Sequence, residues 1–266
     1  MLIALGLGLV VGVILALTGA GGGILAVPLL VFGMHMGLAQ AGPIGLLAVG
    51  MAATLGAILG LREGIVRYRA AFLIAASGMI LSPLGLWIAQ RIDNRWLSVL
   101  FAVTLLLVAT RTFRQARQST PPPAQARPEI YPCMRDADKG RFVWTSACAG
   151  ALALSGTVAG FLSGLLGVGG GFVMVPALQR YTNLEMRAVV ATSLAVIALV
   201  SLAGVVASAV NGGMTWPVAL PFSGGALAGM LGGQVVAARL AGRHLQLGFA
   251  AVAGAVAVGM LARALL

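Results

Sequence analysis

Two uncharged apolar stretches, residues 2–33 and 142–179, constrain this chain more than any other feature. One membrane crossing needs about 20 apolar residues, and two full crossings with a turn need more than about 40. Lengths of 32 and 38 residues fit neither. Each stretch contains the same interruption. The first reads Gly19-Ala20-Gly21-Gly22-Gly23-Ile24-Leu25-Ala26-Val27-Pro28. The second, 148 residues later, reads Gly167-Val168-Gly169-Gly170-Gly171-Phe172-Val173-Met174-Val175-Pro176. Glycine inside a helix costs about 1 kcal/mol relative to alanine. A glycine triplet kept twice at matching positions therefore marks a break with a use. One full crossing followed by a half-depth return, turning at the glycines, accounts for the lengths. A single long broken helix is the other reading.

Further apolar segments run at about 41–60, 70–90, 96–113, 188–210, 217–238 and 245–266, giving about 8 hydrophobic segments in all. With 60% hydrophobic and 9% charged residues, the chain lacks the polar exterior that a soluble domain of this size requires. Its runs are continuous rather than alternating, so the spanning elements are helices and not barrel strands. The expected fold class is an all-α polytopic membrane protein. Residues 114–141 are polar, contain Pro121-Pro122-Pro123, and read as an exposed linker. They separate a first transmembrane repeat, 1–113, from a second, 142–266. Gly64-Ile65-Val66 answers Gly213-Met214-Thr215, and Leu84-Gly85 answers Leu231-Gly232, the pattern of two homologous repeats.

The arginines bear on orientation. If each glycine segment turns back, each half crosses an odd number of times and the repeats are inverted. Of the 17 basic residues, 14 then share one face, and only Arg91, Arg95 and Arg263 lie on the other. With one crossing per glycine segment the split is 11 to 6. Positive charge in short loops marks the cytoplasmic side, which favours inverted repeats, each with a Gly-rich broken or re-entrant helix. Both termini are then expected outside the cell (inner) membrane of a multi-pass protein. The net charge of +11 comes from short basic groups between apolar segments. They form no stripe on a soluble domain, so no nucleic-acid partner is implied.

Enzyme motifs of the GxSxG, HExxH and GxxxxGK types are absent, and the lone lysine, Lys139, lies in the linker. His35 and His244 fall near segment ends without partners at ligand spacing. Cys133 in the linker and Cys148 in a span have no CxxC partner; they read as a loop thiol and a small core residue. No catalytic residue, metal site or cofactor is expected. All six acidic residues (Glu63, Asp93, Glu129, Asp136, Asp138, Glu185) fall in loops or at segment edges. Carboxylates inside the membrane commonly mark cation sites and proton relays, so their absence leaves anionic or neutral cargo. A helix restarting at Ile24 or Phe172 presents free amides and its positive dipole end to whatever lies before it. Glycine lets a ligand approach those amides closely. The candidate substrate-binding residues are therefore Gly21, Gly22, Gly23, Gly169, Gly170 and Gly171, with the hydroxyls of Thr18, Ser163, Thr192 and Ser193. The first half carries Ile44-Gly45 where the second has Thr192-Ser193, so the expected site is asymmetric. Close helix packing is the competing use of glycine, and Gly8/Gly12, Gly56/Gly60, Gly160/Gly164 and Gly225/Gly229 have the spacing for it.

The run Ser163-Gly164-Leu165-Leu166-Gly167-Val168-Gly169-Gly170-Gly171-Phe172-Val173-Met174-Val175-Pro176-Ala177-Leu178 resembles the TauE/SafE sulfite-exporter family of membrane transporters. Arg187-Ala188 leading into Ala191-Thr192-Ser193-Leu194, and the degenerate first copy at 17–29, reinforce it. The resemblance covers both halves. It implies a secondary transporter of small sulfur-containing anions such as sulfite, sulfoacetate or another organosulfonate, working in the lipid bilayer. The first repeat departs from the pattern in lacking the Thr-Ser pair. A proton as coupling ion would have to travel with the substrate or use an edge group such as Glu63 or Glu185. An anion channel, or a non-transporting membrane subunit of a complex, are the alternatives from other classes.

Overall fold

A computed structural model describes residues 1–18, 22–117, 133, 145–210, 212–237 and 242–265. Ten helices account for nearly all of them: α1 (Leu2–Thr18), α2 (Gly23–Gly33), α3 (Leu38–Arg62), α4 (Tyr68–Ala89), α5 (Asn94–Arg117), α6 (Ser146–Leu166), α7 (Gly171–Tyr181), α8 (Met186–Val210), α9 (Trp216–Ala237) and α10 (Gly242–Leu265). Eight apolar segments become ten helices because each glycine-bearing segment splits in two. The restarts fall at Gly23 and Gly171, one residue ahead of the sequence expectation. From the expected linker, only residues 114–117, which belong to α5, and Cys133 are among the described residues.

Four helix starts in the second half fall 148 residues after four in the first. α2, α3, α4 and α5 start at Gly23, Leu38, Tyr68 and Asn94, and α7, α8, α9 and α10 start 148 residues later at Gly171, Met186, Trp216 and Gly242. Helix pairing follows the same pattern: α1 lies along α9 and α6 along α4, while α3 packs on α8 and α5 on α10. Small residues make the close pairs. Gly8 and Gly12 of α1 back onto Phe222 and Ala226 of α9, and Gly225 and Gly229 of α9 back onto Leu5 and Leu9 of α1, a parallel pair. Gly160 and Gly164 of α6 abut Gly78 and Ser82 of α4, also in parallel. Helices in lipid gain by backbone approach of this kind because no hydrophobic force separates helix from solvent. At the centre, α3 and α8 cross antiparallel, with Gly50 against Ser201, Gly56 against Leu194 and Gly60 against Ala191.

Each split segment folds back on itself rather than running on as one broken helix. Gly33, at the end of α2, faces Leu7 of α1, and Gly22 faces Leu15, so α1 and α2 are antiparallel. In the second hairpin the ends are tied covalently. Cys133 and Cys148 form a disulfide with a Cα–Cα separation of 4.9 Å, and the Cys133 N–H donates to the Tyr181 carbonyl at 3.1 Å. The start of α6 thus lies beside the end of α7. This corrects the sequence reading of two unrelated cysteines. Cys133 sits beside the end of α7 and Cys148 in the first turn of α6, so the hairpin brings together two thiols that neither CxxC spacing nor a shared helix would pair.

Outward, the molecule is apolar. Phe72, Ile80 and Leu107 are 67%, 75% and 59% exposed, while Tyr68, Trp87, Trp96 and Trp216 stand exposed near helix ends, where aromatic belts form. Among the described residues, five helical stretches are long and apolar enough to cross a membrane: Leu38–Arg62, Tyr68–Ala89, Asn94–Arg114, Ser146–Leu166 and Met186–Val210. Among the described residues there is no strand, only an isolated bridge between Cys133 and Thr182.

Candidate functional site

The second glycine turn is built by backbone conformations that side chains resist. α6 ends at Gly167, left-handed at φ 71°, whose N–H donates to the Ser163 carbonyl at 2.8 Å. This is the helix-ending geometry glycine favours. Gly169 (φ 79°) and Gly170 (φ 69°) keep the chain in left-handed space until α7 begins at Gly171. No side chain caps the first amides of α7 or of α2. Both helix starts therefore keep uncapped N–H groups at their positive ends.

The turn is held at the middle of the α3–α8 crossing. A Cβ placed on Gly169 would lie 3.0 Å from Ser201 Oγ and 2.9 Å from Ile197 of α8. Gly167 abuts Gly42 of α3, and a Cβ on Gly45 would lie 3.0 Å from the Gly167 carbonyl oxygen. Gly50, the central residue of α3, rests on Ser201. From the other break, a Cβ on Gly23 would lie 3.0 Å from the Val168 carbonyl oxygen. The start of α2 therefore touches the turn that precedes α7, and the two breaks meet.

Of the candidate site residues, Gly23, Gly169, Gly170 and Gly171 gather here. Gly22 is backed onto α1 at Leu15, and Gly21 lies outside the described residues. The four candidate hydroxyls divide. Thr18 donates to the Ile14 carbonyl at 2.7 Å, and Ser193 to the Val189 carbonyl at 2.8 Å; both serve their own helices. Thr192 Oγ1 accepts the Arg67 N–H at 3.1 Å, joining α8 to the start of α4. Ser163 Oγ is buried with no hydrogen-bond partner.

Sequence reasoning missed four more such hydroxyls, those of Ser82, Ser201, Ser208 and Ser223. Ser201 Oγ, beside Gly169, is fully buried and unpartnered. So is Ser82 Oγ, which would lie 3.4 Å from a Cβ on Gly204 of α8. Neither sits in a motif, and their spacing from the glycines crosses helices. A buried hydroxyl without a partner forfeits about 1–3 kcal/mol of hydrogen-bonding free energy, which a polar ligand would restore. Among the described residues no group of three His, Cys, Asp or Glu side chains is placed to hold a metal ion. What this region offers is amides and hydroxyls, a donor set for an anion or a neutral polar molecule.

The sequence profile described as Sulfite exporter TauE/SafE matches residues 4–260. A "Probable membrane transporter protein YunE" of Bacillus subtilis (strain 168) is 27% identical over 237 residues, covering 86% of each chain. A "Probable membrane transporter protein" of Xylella fastidiosa (strain 9a5c) is 30% identical over 251 residues, covering 92% of this chain and 88% of its own. No solved structure matches the chain. Ten helices, five of them able to span a bilayer, and a match along nearly the whole length lead to one conclusion: the chain belongs to the TauE/SafE sulfite-exporter family of membrane transporters.

Proposed function

We propose that this transporter is a secondary carrier of a small sulfur-containing anion, such as sulfite, sulfoacetate or another organosulfonate, and that it binds this cargo between the two glycine breaks. The observation that carries the reading is the meeting of Gly23 with the turn at Val168, beside the unpartnered hydroxyl of Ser201. Amides at the positive ends of α2 and α7 hold an anion there without a buried arginine. Ser163, Ser201 and Ser82 supply hydroxyls; Thr192, already accepting from Arg67, keeps a donor to offer.

The two halves are inverted repeats in this reading. The common 148-residue spacing of the helix starts supports it, as does the antiparallel crossing of the equivalent helices α3 and α8. Each hairpin is re-entrant, reaching mid-membrane and turning back, and alternating access follows from one half rocking against the other. The arginine-rich face is the cytoplasmic side of the inner membrane.

The test is uptake of labelled sulfite, sulfoacetate, taurine and sulfate into proteoliposomes, with and without a proton gradient. Saturable flux of one sulfur anion, changed by the gradient, is the expected result. Flux that rises linearly with concentration and ignores the gradient identifies a channel, and no flux of any of the four removes the reading.

A further inference from the structure

We propose that the chain carries a second oxyanion site, away from the glycine breaks, in a cavity at the end of the bundle opposite the disulfide. The cavity measures about 340 Å³ and is lined by Val31, Phe32 and Met36, by Asn94, Arg95 and Ser98, and by Met260 and Arg263. Its walls are the end of α2, the start of α5 and the end of α10. Two contacts hold these ends together. The Leu38 N–H donates to Asn94 Oδ1 at 2.8 Å, and the Arg263 guanidinium lies 6.0 Å from the Phe32 ring centroid.

The polar groups here are nearly all donors. Two guanidiniums from different helices line the cavity, and among the described residues no carboxylate does. Asn94 has committed its carbonyl oxygen to capping α3, which leaves its NH₂ group. The Ser98 hydroxyl donates to the Asn94 backbone carbonyl at 2.7 Å. Arg263, in the last turn of α10, complements that helix's negative end. Arg95 does not: it sits in the first turn of α5, at a positive helix end, just after Asp93, whose carbonyl accepts the Leu97 N–H at 3.2 Å and which is not part of the cavity lining. Both guanidiniums are exposed, and an oxyanion seated in the cavity would meet two cations and a helix start. Guanidinium binds tetrahedral oxyanions through paired N–H donors.

Orientation offers no competing explanation. In the inverted arrangement only Arg91, Arg95 and Arg263 lie on this face, so they do not supply the cytoplasmic excess of charge. Arg91 is occupied, its guanidinium 3.8 Å from the Trp87 ring centroid. The other two share the cavity. Its remaining wall of Val31, Phe32, Met36 and Met260 is apolar, so the ligand is an oxyanion with an apolar part attached: a phosphate or sulfonate group, carried by an anionic lipid or by a free organic anion. The chemistry does not depend on which compartment this face meets.

The experiment uses purified, detergent-solubilised full-length protein and follows its thermal unfolding midpoint. Ligand arms are short-chain phosphatidylglycerol, short-chain phosphatidylcholine, sodium methanesulfonate and sodium phosphate, with sodium chloride at matched ionic strength. A saturable rise is expected with phosphatidylglycerol or with the two free oxyanions, and none with phosphatidylcholine or chloride. A response to phosphatidylglycerol alone assigns the site to lipid; a response to the free oxyanions assigns it to a soluble anion. Replacing each arginine by glutamine weakens half-saturation roughly tenfold, the worth of one charge-assisted hydrogen bond, while Arg91→Gln leaves it unchanged. Should the double variant fail to fold, Ser98→Asp provides an internal carboxylate: the unliganded midpoint rises and the ligand response disappears. Equal responses to chloride, no response to any oxyanion, or a full response in Arg95→Gln/Arg263→Gln overturns the proposal. None of these outcomes bears on transport through the glycine breaks, which proteoliposome flux reads separately.

Discussion

At Gly170 two requirements coincide: a left-handed backbone and a neighbour too close for a side chain. A Cβ there would stand 2.6 Å from the Ala159 carbonyl oxygen. Left-handed backbone costs an L-residue about 1–2 kcal/mol and a forced fit about 1–3 more. Gly170→Ala is therefore expected to destabilise the purified protein by about 2–5 kcal/mol, read by denaturant titration in detergent, and Gly170→Val to abolish flux while still inserting. Unchanged flux in Gly170→Val would remove the glycine turn from the site. Ser201→Ala separates binding from stability. Deleting a buried, unpartnered hydroxyl leaves stability the same or raises it by up to about 1 kcal/mol, whereas a lost ligand contact lowers transport roughly tenfold. A variant that is less stable and transports normally would show that Ser201 has only a packing role. The glycines were legible in the sequence because only glycine occupies such a turn cheaply. The hydroxyls were not. Whether Ser193 turns to its own helix or Ser201 to a neighbour's turn is decided by packing between helices, which no local pattern records.

At the scale of elements, helix pairs are set by glycine faces, and these carry a sharp expectation. A side chain on Gly164 runs into the Ser82 carbonyl, whereas Gly150, on the same helix, has nothing within 4 Å. Gly164→Leu should separate α6 from α4 and cost the protein its folded state in detergent. Gly150→Leu should leave the unfolding free energy within about 0.5 kcal/mol of the parent. If both variants behave alike, close backbone approach is not what joins these helices. Segments of 32 and 38 residues suit neither one crossing nor two, which leaves a hairpin and a single broken helix as readings, and the arginine placement favours the hairpin. The partners of these helices were less legible. The Gly8/Gly12 and Gly225/Gly229 spacings predicted tight packing, but a spacing does not name the helix across from it. That they face each other emerges only when α1 and α9 are laid side by side.

For the molecule as a whole, the proposed inversion fixes where its ends lie. A reporter fused at Leu266 that works only outside the cytoplasm is expected to be active, and one active only in the cytoplasm contradicts the proposed orientation. The disulfide supplies an independent check. It stands on the arginine-rich face, and a disulfide there is transient or redox-responsive if that face is cytoplasmic. Rapid acid quenching of cells followed by thiol alkylation should then find Cys133 and Cys148 reduced. Recovery of the fully oxidised pair from unstressed cells points to the reverse orientation.

The same bond changes what it means to cut this chain. Cys133 lies near the end of the linker and Cys148 beyond it, so a protease site engineered between Arg135 and Arg141 would sever the peptide without parting the fragments in oxidised protein. On a gel the cleaved transporter would migrate as one species until reductant is added, then as two. Reconstituted in the cut state, it poses a mechanical question: whether a carrier needs a continuous backbone between its halves, or only a pin.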